Sequence, residues 1–131
     1  MPRRPCEESE DHHTTNGIRH QFEWALKHAG GRCYFLDPSR SEHIVGRPDY
    51  YSGVFPSVDL SQLDARRYVS RRHAMILLRA CGWLLRAEYA AVNSTFVNGR
   101  RLRPGECVVI ANHDLLRFAN VELEVIRAEA D

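Results

Sequence analysis

Three short polar clusters carry the residue types needed to hold an oxyanion: Gly46-Arg47, Ser70-Arg71-Arg72-His73 and Asn93-Ser94-Thr95-Phe96-Val97-Asn98-Gly99. Arginine supplies charge-assisted donors in a fork, a serine hydroxyl adds a neutral donor, and an asparagine amide can orient a ligand backbone. A phosphate ester, with close to two negative charges and three strong acceptor oxygens, calls for that combination. Each cluster follows or interrupts an apolar run, where loops bridging strands lie. Their side chains can therefore converge at one end of a sheet.

The elements that must position these clusters read as strands. Phe22, Trp24 and Leu26 alternate with Glu23, Ala25 and Lys27, the period of a half-buried strand. Gly30-Gly31 turns the chain into Cys33-Tyr34-Phe35-Leu36, and His43-Ile44-Val45 leads into Gly46-Arg47. Strand-like runs return at Ala74–Leu78, Trp83–Glu88, Cys107–Ile110, Leu115–Phe118 and Val121–Ile126. Gly82, Asn98-Gly99, Pro104-Gly105 and Asn112 supply turns between them. Short strands at roughly 8–12-residue spacing predict an all-β sandwich or barrel, and no helical stripe competes. Residues 48–69 form a long connection containing Pro48, Gly53 and Pro56 with Tyr50, Tyr51 and Phe55. Connections of this length usually have a function or a packing scheme of their own.

Composition narrows the classes. A chain of 131 residues suits one domain, and its net charge of +1 conceals an asymmetry. From Arg40 to Gly105 eleven arginines face five acids, whereas from Glu106 onward six acids face two arginines. The basic excess lies with the three clusters and implies an anionic partner. Cys6, Cys33, Cys81 and Cys107 are widely spaced, with neither a zinc-ligand pattern nor a disulfide framework. Cys33 and Cys107 lie in apolar runs and are expected to be small buried hydrophobes. There is no secretory h-region and no apolar stretch of membrane-spanning length. The expectation is a reduced, soluble, cytoplasmic protein without metal, cofactor or membrane partner. Residues 1–18 are polar, with an acidic run at Glu7–Asp11, and are expected to form a disordered tail. The domain is expected over 19–128, with 129–131 as a C-terminal end.

Two other classes are weighed against a phosphate-ester reader. Ser70, His73 and Asp114 are the types of a nucleophile, base and orienter, but Ser70 lacks a nucleophile-elbow context. No phosphate-cradling glycine loop or paired catalytic carboxylates offer another route to catalysis, so no enzyme is expected. The arginine-rich middle segment raises nucleic-acid binding, yet its arginines fall in discrete loops without the broad stacking surface such binding uses.

In order and wording the clusters resemble the forkhead-associated (FHA) domain, which binds phosphothreonine peptides. The family pattern runs Gly-Arg, an acidic-apolar pair, Ser-x-x-His, a strand pair and Asn-Gly-Thr-x-Val-Asn-Gly. Here it stands as Gly46-Arg47, Asp59-Leu60, Ser70-Arg71-Arg72-His73 and Asn93 to Gly99, followed by Leu102-x-Pro104-Gly105-Glu106. The chain looks like a bacterial-type, small single-domain variant. The resemblance implies a β-sandwich of two antiparallel sheets with functional loops at one end. It implies that Arg47 contacts the phosphate or supports its loop, that Ser70 and Arg71 meet phosphate oxygens, and that Asn93 holds the ligand backbone. Arg72, Ser94 and Thr95 are further candidate contacts, while Gly46, His73, Asn98 and Gly99 are expected to support the site.

The implied function is that of an adaptor in Ser/Thr kinase signalling whose partner is a Thr-phosphorylated protein or peptide, including the kinase or its substrate. Three departures from the family pattern stand out. Ser94 replaces a frequent glycine, which is strained if that turn needs positive φ. Asn112-His113-Asp114 and Phe118-Ala119 replace later glycine turns, and residues 48–69 are longer than usual. The long loop keeps open a phospho-independent scaffold that docks partners through residues 48–69. Thr14-Thr15, in the acidic tail, resembles the phosphorylated tail with which small bacterial members fill their own domain, although ordinary linker composition gives the same pair.

Overall fold

The computed structural model describes residues 22–129, and the expected tail at 1–18 falls outside them. Eleven strands follow in chain order: β1 (Phe22–His28), β2 (Cys33–Phe35), β3 (Glu42–Gly46), β4 (Val58–Asp59), β5 (Ala74–Arg79), β6 (Gly82–Ala87), β7 (Thr95–Val97), β8 (Arg100–Arg101), β9 (Cys107–Val109), β10 (Leu115–Phe118) and β11 (Val121–Glu129). One turn of 3-10 helix at Ser61–Leu63 is the helical element among the described residues. The expected all-β sandwich is present.

The strands form a six-stranded sheet in the order β2-β1-β11-β10-β7-β8 and a five-stranded sheet in the order β4-β3-β5-β6-β9. All pairings are antiparallel except β3 with β4, which run parallel through Val45–Val58 and Gly46–Asp59. The period-2 pattern explains which side chains fill the sandwich. Leu26, Val45, Ile76, Leu85, Leu116, Leu123 and Val125 are fully buried between the sheets, with Phe118 among them. Each such side chain contributes about 1.5–3 kcal/mol by leaving water. Met75, Leu77 and Leu84 form a second small cluster with Ile44, Cys107 and Val109. Cys33 departs from its expected burial: on the short edge strand β2 its side chain is exposed, while Tyr34 beside it turns inward. Cys107 is half-buried. Cys81 is disulfide-bonded, so the expected fully reduced state does not hold for it.

Register places Gly46-Arg47, the Ser70–His73 turn and Asn93-Ser94, the start of the third cluster, at one end of the sandwich. Gly46 pairs with Asp59, Val45 with Ala74, Ala74 with Ala87, and Thr95 with Phe118. The loops leaving these positions are 47–57, 60–73 and 88–94. At the same end the Ser94 carbonyl accepts from the Ala119 N–H at 3.0 Å and from His73 Nε2 at 3.3 Å, linking the two sheets.

Candidate functional site

Gly46 sets the geometry. It has an ordinary negative φ, but a Cβ there would lie 2.0 Å from the Arg71 carbonyl oxygen and 2.6 Å from that of Ser70. Only glycine lets the end of β3 approach the 70–71 backbone so closely. The Arg47 N–H then donates to the Arg71 carbonyl at 3.3 Å, and Arg47 Nε donates to the Val69 carbonyl. Tying Nε to backbone directs the guanidinium's remaining donors away from that bond.

Arg47 also lines a cavity of about 420 Å³, together with Pro48, Asp49, Tyr50, Tyr51, Ser61, Asp64, Ala65, Arg67 and Arg71. Arg47 and Arg71 thus come from two loops to one cavity, as their residue types suggested. Arg67, from loop 60–73, joins them. So do Tyr50 and Tyr51 of the long loop, where Asp49 forms a bridge with Val54 and its carboxylate accepts from Tyr51 N, Ser52 N and Ser52 Oγ. The Ser52 hydroxyl, foremost among these bonds, holds the Asp49 carboxyl below the usual carboxylate range.

His73 is completely buried beneath the loops. Its Nδ1 accepts from the Ser70 N–H at 3.0 Å, so Nε2 carries the proton and donates to the Ser94 carbonyl. Burial holds its pKa below that of an ordinary histidine, in keeping with a neutral ring. One imidazole thereby joins the Ser70 turn to the Ser94 turn. Ser70 Oγ accepts from the Val92 N–H at 3.0 Å, and Asn93 Nδ2 donates to the Tyr68 carbonyl at 2.9 Å. Both expected ligand residues therefore also stitch loop 60–73 to loop 88–94. The Ser70 hydroxyl proton is not used in accepting that bond.

The remaining candidates sort by place. Arg72 is exposed and, like Ser70 and Asn93, is not among the residues lining the cavity. Ser94 does not adopt a positive φ, so the anticipated strain is absent there. Thr95 is 2% exposed, with Oγ1 buried and unpartnered, which removes it from reach of a ligand at the surface. Asn98 and Gly99, with φ of 51° and 83°, form the two-residue turn between β7 and β8. Asn98 Nδ2 donates to Asp114 Oδ1 and its Oδ1 accepts from Leu115 N, each at 2.9 Å. These bonds brace the far end of β7 and touch none of the loops carrying Arg47, Ser70, Arg71 or Asn93. The imagined Ser70-His73-Asp114 relay is also absent: His73 meets the backbone N–H of Ser70, and Asp114 binds Asn98 and Ala111.

A β-sandwich with its glycine-backed arginine, serine-to-histidine turn and asparagine loop at one end is matched by the sequence model of the FHA domain over residues 43–119. The chain belongs to the FHA domain family. Solved structures agree on the fold. Mycobacterium tuberculosis EmbR, in complex with a low-affinity phosphopeptide, superposes with a TM-score of 0.66 at 20% identity over 83% of this chain, which spans 25% of that one. An FHA domain from work on phosphothreonine-dependent FHA interactions gives 0.60 at 25% identity, covering 80% of this chain and 94% of its own. An Arabidopsis thaliana FHA domain gives 0.67 at 16% identity, covering 91% and 96%. No curated protein matches the sequence. Among the described residues no cluster of His, Cys, Asp or Glu could hold a metal, and no helix is long and apolar enough to cross a membrane.

Proposed function

We propose that this FHA domain is a non-catalytic reader of phosphothreonine peptides, acting as a cytoplasmic adaptor in Ser/Thr kinase signalling. The observation that carries the reading is the convergence of Arg47 and Arg71, from separate loops, on one cavity at the loop end of the sandwich. Arg47 and Arg71 take the phosphate oxygens, the Ser70 hydroxyl donates to one of them, and Asn93 holds the ligand backbone. His73 and Gly46 keep the loops in register, so little reorganisation accompanies binding. The partner is a Thr-phosphorylated protein, including a kinase or its substrate, and the folded unit spans about 19–128. The FHA domain from work on phosphothreonine-dependent FHA interactions, at 25% identity, supports this reading.

The test is fluorescence anisotropy with degenerate phosphothreonine peptides against matched phosphoserine and unphosphorylated sets. Saturable binding that requires phosphothreonine and is lost in Arg47→Ala and Ser70→Ala supports the reading. Equal or absent binding across all sets, by protein shown to be folded, rejects it. A self-ligand belongs to the same reading: phosphate on Thr14 or Thr15, which lie outside the described residues, would compete with the peptides. If kinase treatment never places phosphate on either threonine, that idea is dropped.

One observation favours a second reading, a phospho-independent scaffold. Tyr50, Tyr51 and Phe55 of the long loop are 77%, 97% and 60% exposed, an aromatic tip typical of docking surfaces. Partner capture that survives phosphatase but is lost in a Tyr50→Ser/Tyr51→Ser/Phe55→Ser variant identifies the scaffold. The converse pattern identifies the reader.

A further inference from the structure

The five-stranded sheet is apolar on both faces. Val45, Ile76, Leu85 and Val108 belong to the core between the sheets, and by alternation Ile44, Met75, Leu77, Leu84, Cys107 and Val109 point the other way. Register sets them in two rows across the strands, Ile44-Met75-Arg86-Cys107 and Glu42-Leu77-Leu84-Val109. The outer face of an antiparallel sheet ordinarily turns polar and meets water. Here Met75, Leu77 and Leu84 are only 4%, 1% and 0% exposed. Yet the apolar residues grouped with them all lie on that same face. Side chains standing upright on a sheet shield each other's flanks and leave their tips open. Burial this complete calls for chain lying over the face.

Cys81 points independently to the chain that does so. It sits in the turn between β5 and β6 and is disulfide-bonded. Of the four cysteines, Cys33 and Cys107 are thiols, which leaves Cys6 as the partner within one chain. That turn lies at the end of the sandwich opposite the arginines, because β5 runs from Ala74 at the loop end to Arg79 beside the turn. Strand β1 starts at the same far end: Phe22 pairs with Glu129, the last residue of β11, whose first residue pairs with Phe118 near the loops. A bond from Cys6 to Cys81 closes residues 7–21 as a return between two points at one end. It also leaves residues 1–5 within reach of the outer face. Met1, Pro2 and Pro5 are apolar, whereas Ile18 is the one aliphatic side chain in 7–21. Five residues extend about 17 Å, against about 20 Å for the six-residue strands β5 and β6.

We propose that residues 1–5, which lie outside the described residues, dock on the outer face of the five-stranded sheet over Met75, Leu77 and Leu84, and that a Cys6–Cys81 disulfide locks them there. The cover is redox-dependent. A dithiol reductant cleaves the S–S bond, delivering two electrons and two protons to give the Cys6 and Cys81 thiols while itself closing to a cyclic disulfide. Reclosure takes a disulfide oxidant of the glutathione class, which accepts the two electrons and two protons and leaves as two thiols. Reduction thus uncovers an apolar face remote from the arginine cavity.

The experiment uses the full chain equilibrated in a glutathione redox buffer. Thiol labelling of the denatured, unreduced protein is expected at Cys33 and Cys107 alone, and unreduced peptide mapping by mass spectrometry is expected to link Cys6 to Cys81. The cover itself is read by methyl NMR, since the chain has two methionines, Met1 and Met75. Met75 stands four residues, about 13 Å of strand, before Arg79, so its methyl group reports the cover and not the bond. Its resonance, assigned with Met75→Leu, should shift on reduction with dithiothreitol. In Cys6→Ser it should take the reduced position in either buffer. Labelling at all four cysteines, or linkage of Cys81 to any residue other than Cys6, overturns the proposal. So does a Met75 resonance that neither reduction nor Cys6→Ser moves.

Discussion

A Cβ on Gly46 would stand 2.0 Å from the carbonyl oxygen of Arg71, closer than any real contact permits. The same carbonyl accepts the Arg47 N–H at 3.3 Å. Two arginines of the cavity are therefore spaced by the absence of one methyl group. Gly46→Ala is expected to force the 70–71 backbone away, at about 1–3 kcal/mol of stability as for other overpacked sites. Phosphothreonine affinity should fall with it. Urea denaturation beside anisotropy checks both, and a fully stable, fully binding Gly46→Ala would show that the close approach is unimportant.

Arg47 and Arg71 differ in how they can be replaced. Arg47 uses Nε to bond the Val69 carbonyl, and a lysine cannot hold that bond while also presenting its charge to the cavity. Arg47→Lys is expected to bind nearly as weakly as Arg47→Ala, each losing about 1.5–3 kcal/mol, or roughly tenfold or more in Kd. Arg71→Lys should retain more affinity than Arg71→Ala. Titrations of all four variants against one peptide decide the matter.

His73 makes stability depend on pH in a definite window. Burial lowers its folded pKa, so the unfolded chain takes up a proton near 6.5 that the folded one refuses. Stability is full above about pH 6.5 and declines as pH falls below it toward the lowered folded value. Thermal unfolding between pH 8 and pH 5 should show this slope. It should flatten in His73→Gln, even though that variant is less stable throughout. An unchanged slope in the variant assigns the effect to other groups.

Asn98 provides a contrast with the ligand-facing residues. Asn98→Ala removes the partners of Asp114 Oδ1 and the Leu115 N–H and leaves an alanine at a φ of 51°. The expected cost is about 1–3 kcal/mol of stability, seen as a lower urea midpoint. At temperatures where the variant remains folded, its phosphothreonine Kd should match that of the unaltered domain. A selective loss of binding would place Asn98 in the site after all.

Much of this architecture is legible in the residues themselves because local stereochemistry dictates it. Val121, Leu123 and Val125 alternate with acids because one face of β11 is buried, and Asn98-Gly99 declares a tight turn through its positive φ values. Strands β4, β7 and β8 are not legible in the same way. They span only two or three residues, and Val58–Asp59 is a strand because β3 lies beside it. Nor does sequence distinguish Arg67 from Arg66. The choice follows from Asp64, whose carboxylate closes the turn that puts Arg67 in the left-handed region. Thr95 misleads for a related reason, since its neighbours in the polar cluster lie on loops while it begins an inward-facing strand.

The brief parallel pairing of β3 with β4 has one more consequence. It clasps both ends of residues 47–57, and Tyr34 Oη secures the clasp by donating to the Asp59 carbonyl at 2.8 Å. Inside it, the Asp49–Val54 bridge closes a smaller circle whose tip is Gly53, with open space around it. Enlarging a loop beyond a closed neck costs only about 0.6 kcal/mol per doubling of its length. The tip is thus a port in the domain's wall: a dye, an epitope or a foreign sequence spliced at Gly53 would hang beside the arginines without loosening the frame that holds them.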